Sequence, residues 1–344
     1  MEEGRTPEES FPVAYVRNVH PEVTSKHKVT PTTYSGTLKI QGKSSFTVGS
    51  TLFNFTFAQK PVTFASGTGT YPRTKTQSGG PGELPPTVRI ISFPTEWEVS
   101  RTGNANTWKS VANQSANTMY VLLDNPAAPQ LFRTVLHLAC MNGGAANAAT
   151  AKSNTWGLFG LPANAGPANV KSWNLFPLTY YATLSGGLCT DTAPLLKTRE
   201  GQCHAFASLL KDVFAANGIT TGIQITRVRP PVGLTSLAVK NIIFKHPPTS
   251  PSTAPFVYAQ GDLLLSDPDL KGQNTAPPKA KLFEQHFIVH DTTGAIYYDP
   301  SYGVTTTGEA DYTLRAIDGY SNDFGDHWRK IHPHAPADNL RFDP

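Results

Sequence analysis

The feature that most limits how this chain can fold is a change of hydrophobic period near residue 124. From about residue 11 to 123 the apolar stretches are short and rich in β-branched and aromatic residues: FPVAYVRN, SGTLKIQG, STLFNFTFAQ, TVRIISF, EWEVS and TMYVLL. Clusters of Gly, Pro, Ser and Asn such as SGTGTYPRTKTQSGGPGELPP separate them, which is strand and turn chemistry. In STLFNFTFAQ, Leu52, Asn54 and Thr56 face one way and Phe53, Phe55 and Phe57 the other, the alternation of a half-buried strand. Several short strands at this spacing imply a β-sandwich over residues 11–124, behind a flexible N-terminus at 1–10. Residues 124–130, DNPAAPQ, interrupt both periodicities and read as a linker.

Beyond the linker the pattern is mixed. LFRTVLHLACMNGG reads as a helix closed by Gly143, and NTWGLFG as the end of another. After Gly201, Phe206, Leu209, Leu210, Val213 and Phe214 recur at i, i+3, i+4, i+7 and i+8, with Gly218 as the stop. Cys203 falls in the first turn of that helix. Strands follow as TGIQITRVR, VKNIIFK, PFVYAQGDLLL, KLFEQHFIVHD and AIYYDP, and two Pro-rich segments, HPPTSPSTAP and SDPDLKGQNTAPPKAK, read as loops rimming a site. The expected class is therefore α+β, with a β-sandwich-like domain followed by a mixed domain at 131–344. A length of 344 residues suits two domains.

Composition narrows the functions. Only 16% of residues are charged, against about 25% in typical soluble chains. A net charge of +4 with scattered Lys and Arg gives no basic patch for nucleic acid or an anionic membrane. No apolar run reaches the roughly 18 residues that span a bilayer, and MEEGRTPEES lacks the regions of a signal peptide. As written the chain reads as cytoplasmic; an exported bacterial protein that has lost its leader is the alternative. Three cysteines cannot all pair, so at least one thiol is free. Cys140, in an apolar helix, and Cys189, in a Gly-rich loop, read as inert.

Cys203 differs in its setting. A helix N-terminus stabilises a thiolate through unpaired backbone N–H groups, and the same groups can hold an oxyanion. The plain alternative is a buried helix cysteine. His286 stands in a strand, and Asp299 lies 13 residues on (299 minus 286), at the end of the next strand past a tight turn at 291–294. A hairpin of those strands sets Asp299 beside His286, the geometry for fixing an imidazole tautomer. Asp299 before Pro300 could instead serve only as a turn cap, which would leave His286 and Cys203 unexplained.

These three motifs, GQCHAFASLLKDVFAANGI, QHFIVH and YYDPSYG, in that order resemble the transglutaminase-like thiol enzymes, a superfamily that includes microbial peptidases and peptide N-glycanases. The resemblance covers roughly residues 131–303. It implies Cys203 as nucleophile, His286 as general base and acid, and Asp299 as orienting group, on a papain-like arrangement of a Cys-bearing helix packed on an antiparallel sheet. Two departures stand out: the interval from Cys203 to His286 is long, 83 residues (286 minus 203), and Phe287 follows His286 where the commoner pattern has Ala and then Trp. Family enzymes often add an aromatic donor upstream of the Cys; Trp173 is the nearest candidate, with a core aromatic as the competing reading. Gln202 and His204 flank the nucleophile as substrate-binding candidates, though successive helix side chains diverge and both cannot point at it.

No cofactor is expected. His290 shares the parity of His286 and raises a metal reading with Glu284, but the three or four ligands of a closed site are missing from the pattern. The histidines of the tail DHWRKIHPHAP read as a solvated end docked by Trp328. The expected activity is a cysteine peptidase or amidase, less so a crosslinking acyltransferase, acting on a protein or peptide through a thioester. The alternative is a binding or structural protein that uses the sandwich and carries a retired scaffold. A papain-like or cell-wall amidase class would predict a different third residue than Asp299.

Overall fold

The structure, a computed structural model, describes residues 13–16, 24–25, 28–29, 36–48, 51–64, 69–70, 74–75, 77–78, 84–102, 104–110, 115–160, 169–180, 190–239, 256–259, 272–274, 282–321, 328–333 and 340–344. It combines helices with antiparallel sheets, an α+β protein. The chain divides into two compact units, Met1–Asn125 with Gly143–Ala151, and Pro126–Asn142 with Lys152–Pro344. Among the described residues no helix is long and apolar enough to cross a membrane.

The first unit is built on a seven-stranded sheet. Its order is Val13–Val16, Ser115–Leu122, Arg89–Ser100, Gly36–Val48, Thr51–Phe64 and Gln77–Ser78, with Lys109–Ser110 also pairing to Arg89–Ser100. Only the first pairing is parallel. TVRIISF and EWEVS, separate stretches by pattern, are one continuous strand here. Its alternation runs without a break through Ser92, Pro94 and Glu96, all exposed, while Ile91, Phe93, Thr95 and Trp97 are buried. Ile91 and Phe93 join Leu84, Met119 and Val121 in a core cluster, and Phe46 stacks on Phe93 at 4.7 Å. Leu52 and Asn54 are exposed, on the face the alternation assigned them. The two further ladders, Thr24–Ser25 with Thr74–Lys75 and Lys28–Val29 with Gly69–Thr70, are two-stranded.

The second unit carries the helices α1 (Arg133–Cys140), most of α2 (Ala148–Phe159), α3 (Thr192–Thr198), α4 (Cys203–Ala216) and α5 (Glu309–Ala316). One five-stranded antiparallel sheet runs Val304–Thr307, Ile296–Asp299, His286–Asp291, Ile223–Arg229 and Arg341–Asp343. Another runs Phe256–Ala259, Trp328–Pro333, Ile317–Ser321, Ser236–Val239 and Leu282–Phe283. The tail around Trp328 is thus a paired strand, not a solvated end; six residues that alternate across a partner gain ladder bonds a free tail lacks. Cys189 and most of VKNIIFK and the two Pro-rich segments lie outside the described residues.

Helix α4 positions the site. Ten of its residues are buried, including Phe206, Leu209, Leu210, Val213 and Phe214, and it packs on the His286–Asp291 and Ile223–Arg229 strands. It stops in a Schellman motif: Ile219 N–H donates to Phe214 O at 3.0 Å and Gly218 N–H to Ala215 O at 3.0 Å. Gly218 takes φ 73°, a left-handed value that side-chain-bearing residues avoid. At the other end Gln202 is the N-cap in extended conformation and its side chain makes no capping bond, so the first-turn N–H groups beside Cys203 are not claimed by a cap.

Candidate active site

The hairpin that carries His286 and Asp299 pairs Val289 with Tyr298, His290 with Tyr297 and Asp291 with Ile296. Its turn is held by the Asp291 carboxylate, which accepts the Thr293 backbone N–H at 3.1 Å, the Thr293 hydroxyl at 2.5 Å and the Lys152 ammonium. Lys152 belongs to α2, so this buried ion pair ties that helix to the hairpin. The side chains of Asp299 and His286 meet past the last ladder pair: His286 Nε2 lies 2.8 Å from Asp299 Oδ2, both residues buried.

Asp299 is committed on every side. Its Oδ1 accepts the backbone N–H groups of Ser301 at 3.1 Å and Tyr302 at 3.2 Å, and its Oδ2 accepts the Tyr312 hydroxyl at 3.1 Å as well as His286. The turn-cap and orienting roles, alternatives by sequence, are both filled because a carboxylate has two oxygens. A carboxylate so placed makes Nε2 the protonated nitrogen and leaves Nδ1 to face the nucleophile.

Cys203 is the other group that acts on the ring. Nδ1 is buried without a well-formed hydrogen bond, and with Nε2 engaged it is the nitrogen open to the Cys203 thiol, which acts on the ring by contact and by charge. Burial alone pushes the imidazole down, but Asp299 and then Cys203 raise it to about 10. His286 is therefore an imidazolium across the neutral range. Cys203 is 8% exposed against 0% for His286 and 1% for Asp299, so the nucleophile is the member nearest solvent. Cys140 is a contrast, its thiol pushed far up by burial.

The other candidates are placed as follows. His204 stacks on Phe287 at 4.4 Å, so the residues following the nucleophile and the base form one half-buried pair beside the triad. Gln202 is half-buried at the N-cap. Trp173 lies with the Arg133 guanidinium 3.5 Å above its ring and its backbone N–H donating to Thr134 Oγ1 at 3.4 Å, and among the described residues no hydrogen bond joins it to Cys203. His290 stacks on Tyr297 at 4.0 Å and touches Gln224; Glu284 is exposed. Among the described residues no group of three or more metal-ligating side chains gathers.

Four buried contributors went unread in the sequence. Tyr312 comes from α5, a polar helix of only eight residues, too short for its period to announce it. Tyr302 follows Asp299 by three residues, and its ring lies 5.5 Å from that of His286. Tyr180 reaches the site because its two-residue strand pairs in parallel with Glu200–Gly201, one residue short of Cys203. Gln273 sits in a Pro-rich segment expected to rim the site, yet it is 0% exposed and fully bonded: its side chain accepts from Val170 N–H and donates to Phe159 O and Pro300 O. Comparison with protein-family models, with characterised proteins and with solved structures found no match.

Proposed function

We propose that the second unit is a transglutaminase-like cysteine hydrolase or acyltransferase that opens peptide or carboxamide bonds through a thioester, in a chain whose first unit is β-sandwich-like. The observation that carries this reading is the 2.8 Å bond from buried His286 to Asp299, with Cys203, at a helix start, acting on the same imidazole. In the reaction the Cys203 thiolate adds to the carbonyl carbon, the first-turn N–H groups face the developing oxyanion, and His286 Nδ1 protonates the departing amine. Water then attacks the thioester, with His286 taking its proton, and releases the acid. The narrow exposure of Cys203 favours water over a lysine-sized amine, so hydrolysis is the main course and crosslinking the lesser one.

A second reading, a binding protein on a retired scaffold, draws on one observation: His286 is wholly buried and Cys203 nearly so. Incubation with a glutamine-containing peptide separates the two. The enzyme reading expects an acyl adduct on Cys203, trapped by mass spectrometry, that Cys203→Ala abolishes. Cleavage or amide loss that persists unchanged in Cys203→Ala removes it.

A further inference from the structure

Between the triad and the strand before Cys203 lie two tyrosines that the triad chemistry does not use. The Tyr180 and Tyr302 rings are 5.3 Å apart, Tyr180 also packs on Phe206 of α4 at 6.0 Å, and Tyr302 packs on His286. Both residues are 1% exposed. At that ring separation the Tyr180 phenol is close enough to act on the phenol of Tyr302. Among the described residues the Tyr302 hydroxyl is buried with no hydrogen-bond partner, and Asp299 and then Cys203 act on it electrostatically. Asp299 already answers four donors, so it does not take the Tyr302 proton. A buried donor left unspent is costly unless something arrives to use it.

Gln273 fixes this arrangement. Its carbonyl accepts Tyr180 N–H at 2.8 Å, its N–H donates to Ser301 O at 2.9 Å, and its side chain holds Pro300 O. The Tyr180 strand and the Tyr302 turn are thereby set to one another. Burial holds both phenols well above their ordinary pKa, so they are donors at every working pH.

We propose that the Tyr302 hydroxyl, backed by Tyr180, donates the side-chain hydrogen bond to the oxyanion formed when Cys203 adds to a substrate carbonyl. This deepens the acyl-transfer reading and rests on it. The sulfur lone pair forms the C–S bond, the carbonyl π pair moves onto oxygen, and the Tyr302 O–H bonds that oxygen without giving up its proton. Tyr180, donating into the Tyr302 oxygen, polarises the bond. On collapse the pair returns to the carbonyl, the C–N bond breaks, and the amine leaves with the His286 Nδ1 proton.

The test uses N-acetylglycinal, an aldehyde whose reversible thiol adduct carries an oxygen where the oxyanion would be, and iodoacetamide, which alkylates sulfur with no oxyanion. In Tyr302→Phe the aldehyde dissociation constant should rise at least about tenfold while alkylation of Cys203 stays within about twofold. Tyr180→Phe should show a smaller aldehyde loss, about threefold, again without slowing alkylation. Unchanged aldehyde affinity in both variants overturns the proposal, as does a parallel fall of aldehyde binding and alkylation, which would place the phenols in support of the thiol instead. A wild-type Cys203 that takes up neither reagent overturns the acyl-transfer reading itself, a result distinct from either.

Discussion

One carboxylate at the residue scale organises the site: Asp299 answers two backbone N–H groups, a tyrosine and the imidazole. Asp299→Asn keeps the shape but offers Nε2 the wrong partner, so kcat/KM on a carboxamide substrate should fall by roughly three to four orders of magnitude, measured by amine release. Loss of less than about tenfold would show that the bond is structural only. The raised pKa of His286 has a sign for stability. Because the folded protein holds that proton more tightly than the unfolded chain, the contribution is complete below about 6.5 and is lost as pH rises through about 10. The urea midpoint should therefore drop from pH 6.5 to 10, and in His286→Asn that slope should flatten. Asp299 and His286 were readable because both sit in short motifs one hairpin apart. Tyr312 and Tyr180 were not, since each reaches the triad only through tertiary pairing, from α5 and from the strand beside Gly201.

Elements explain why the geometry holds. The hairpin turn packs on Gly222, which takes φ 74° and where a Cβ would stand 2.6 Å from Thr293 Cγ2 and 2.8 Å from Thr292 Oγ1. Gly222→Ala should cost more than about 1 kcal/mol in a denaturant titration, from the left-handed backbone and the clash together. An unchanged midpoint would mean the turn shifts freely. Helix α4 was legible because its 3.6 period ran long enough to stand out, and the hairpin because two apolar, aromatic-rich runs flank a tight turn. Helix α5, EADYTLRA, and the seven-residue α3 were not, being too short for a period to stand out. Trp328–Pro333 was missed because its pairing partners lie at Phe256–Ala259 and Ile317–Ser321, contacts no local pattern carries.

Over the whole molecule the chain crosses between units more than once. Gly143–Ala151 belongs with the first unit, and within it Gly144 N–H donates to Val88 O and Val88 N–H to Ala145 O, each at 2.8 Å. A single break at the 124–130 linker therefore leaves these bonds unmade. A fragment of residues 1–130, which lacks Gly143–Ala151, should melt lower than one of residues 1–151, with a cost of about 1 kcal/mol for each lost bond. An equal melting temperature would show the segment to be dispensable. That return could not be read locally, because GGAANAATA carries neither period. The central claim is that His286, charged and fixed by Asp299, makes Cys203 the reactive thiol. It is tested most directly by the rate of Cys203 alkylation with iodoacetamide at pH 6, mapped by peptide mass. His286→Asn should slow that rate by about tenfold or more while Cys140 stays unlabelled in both proteins; equal rates in wild type and variant would contradict the account.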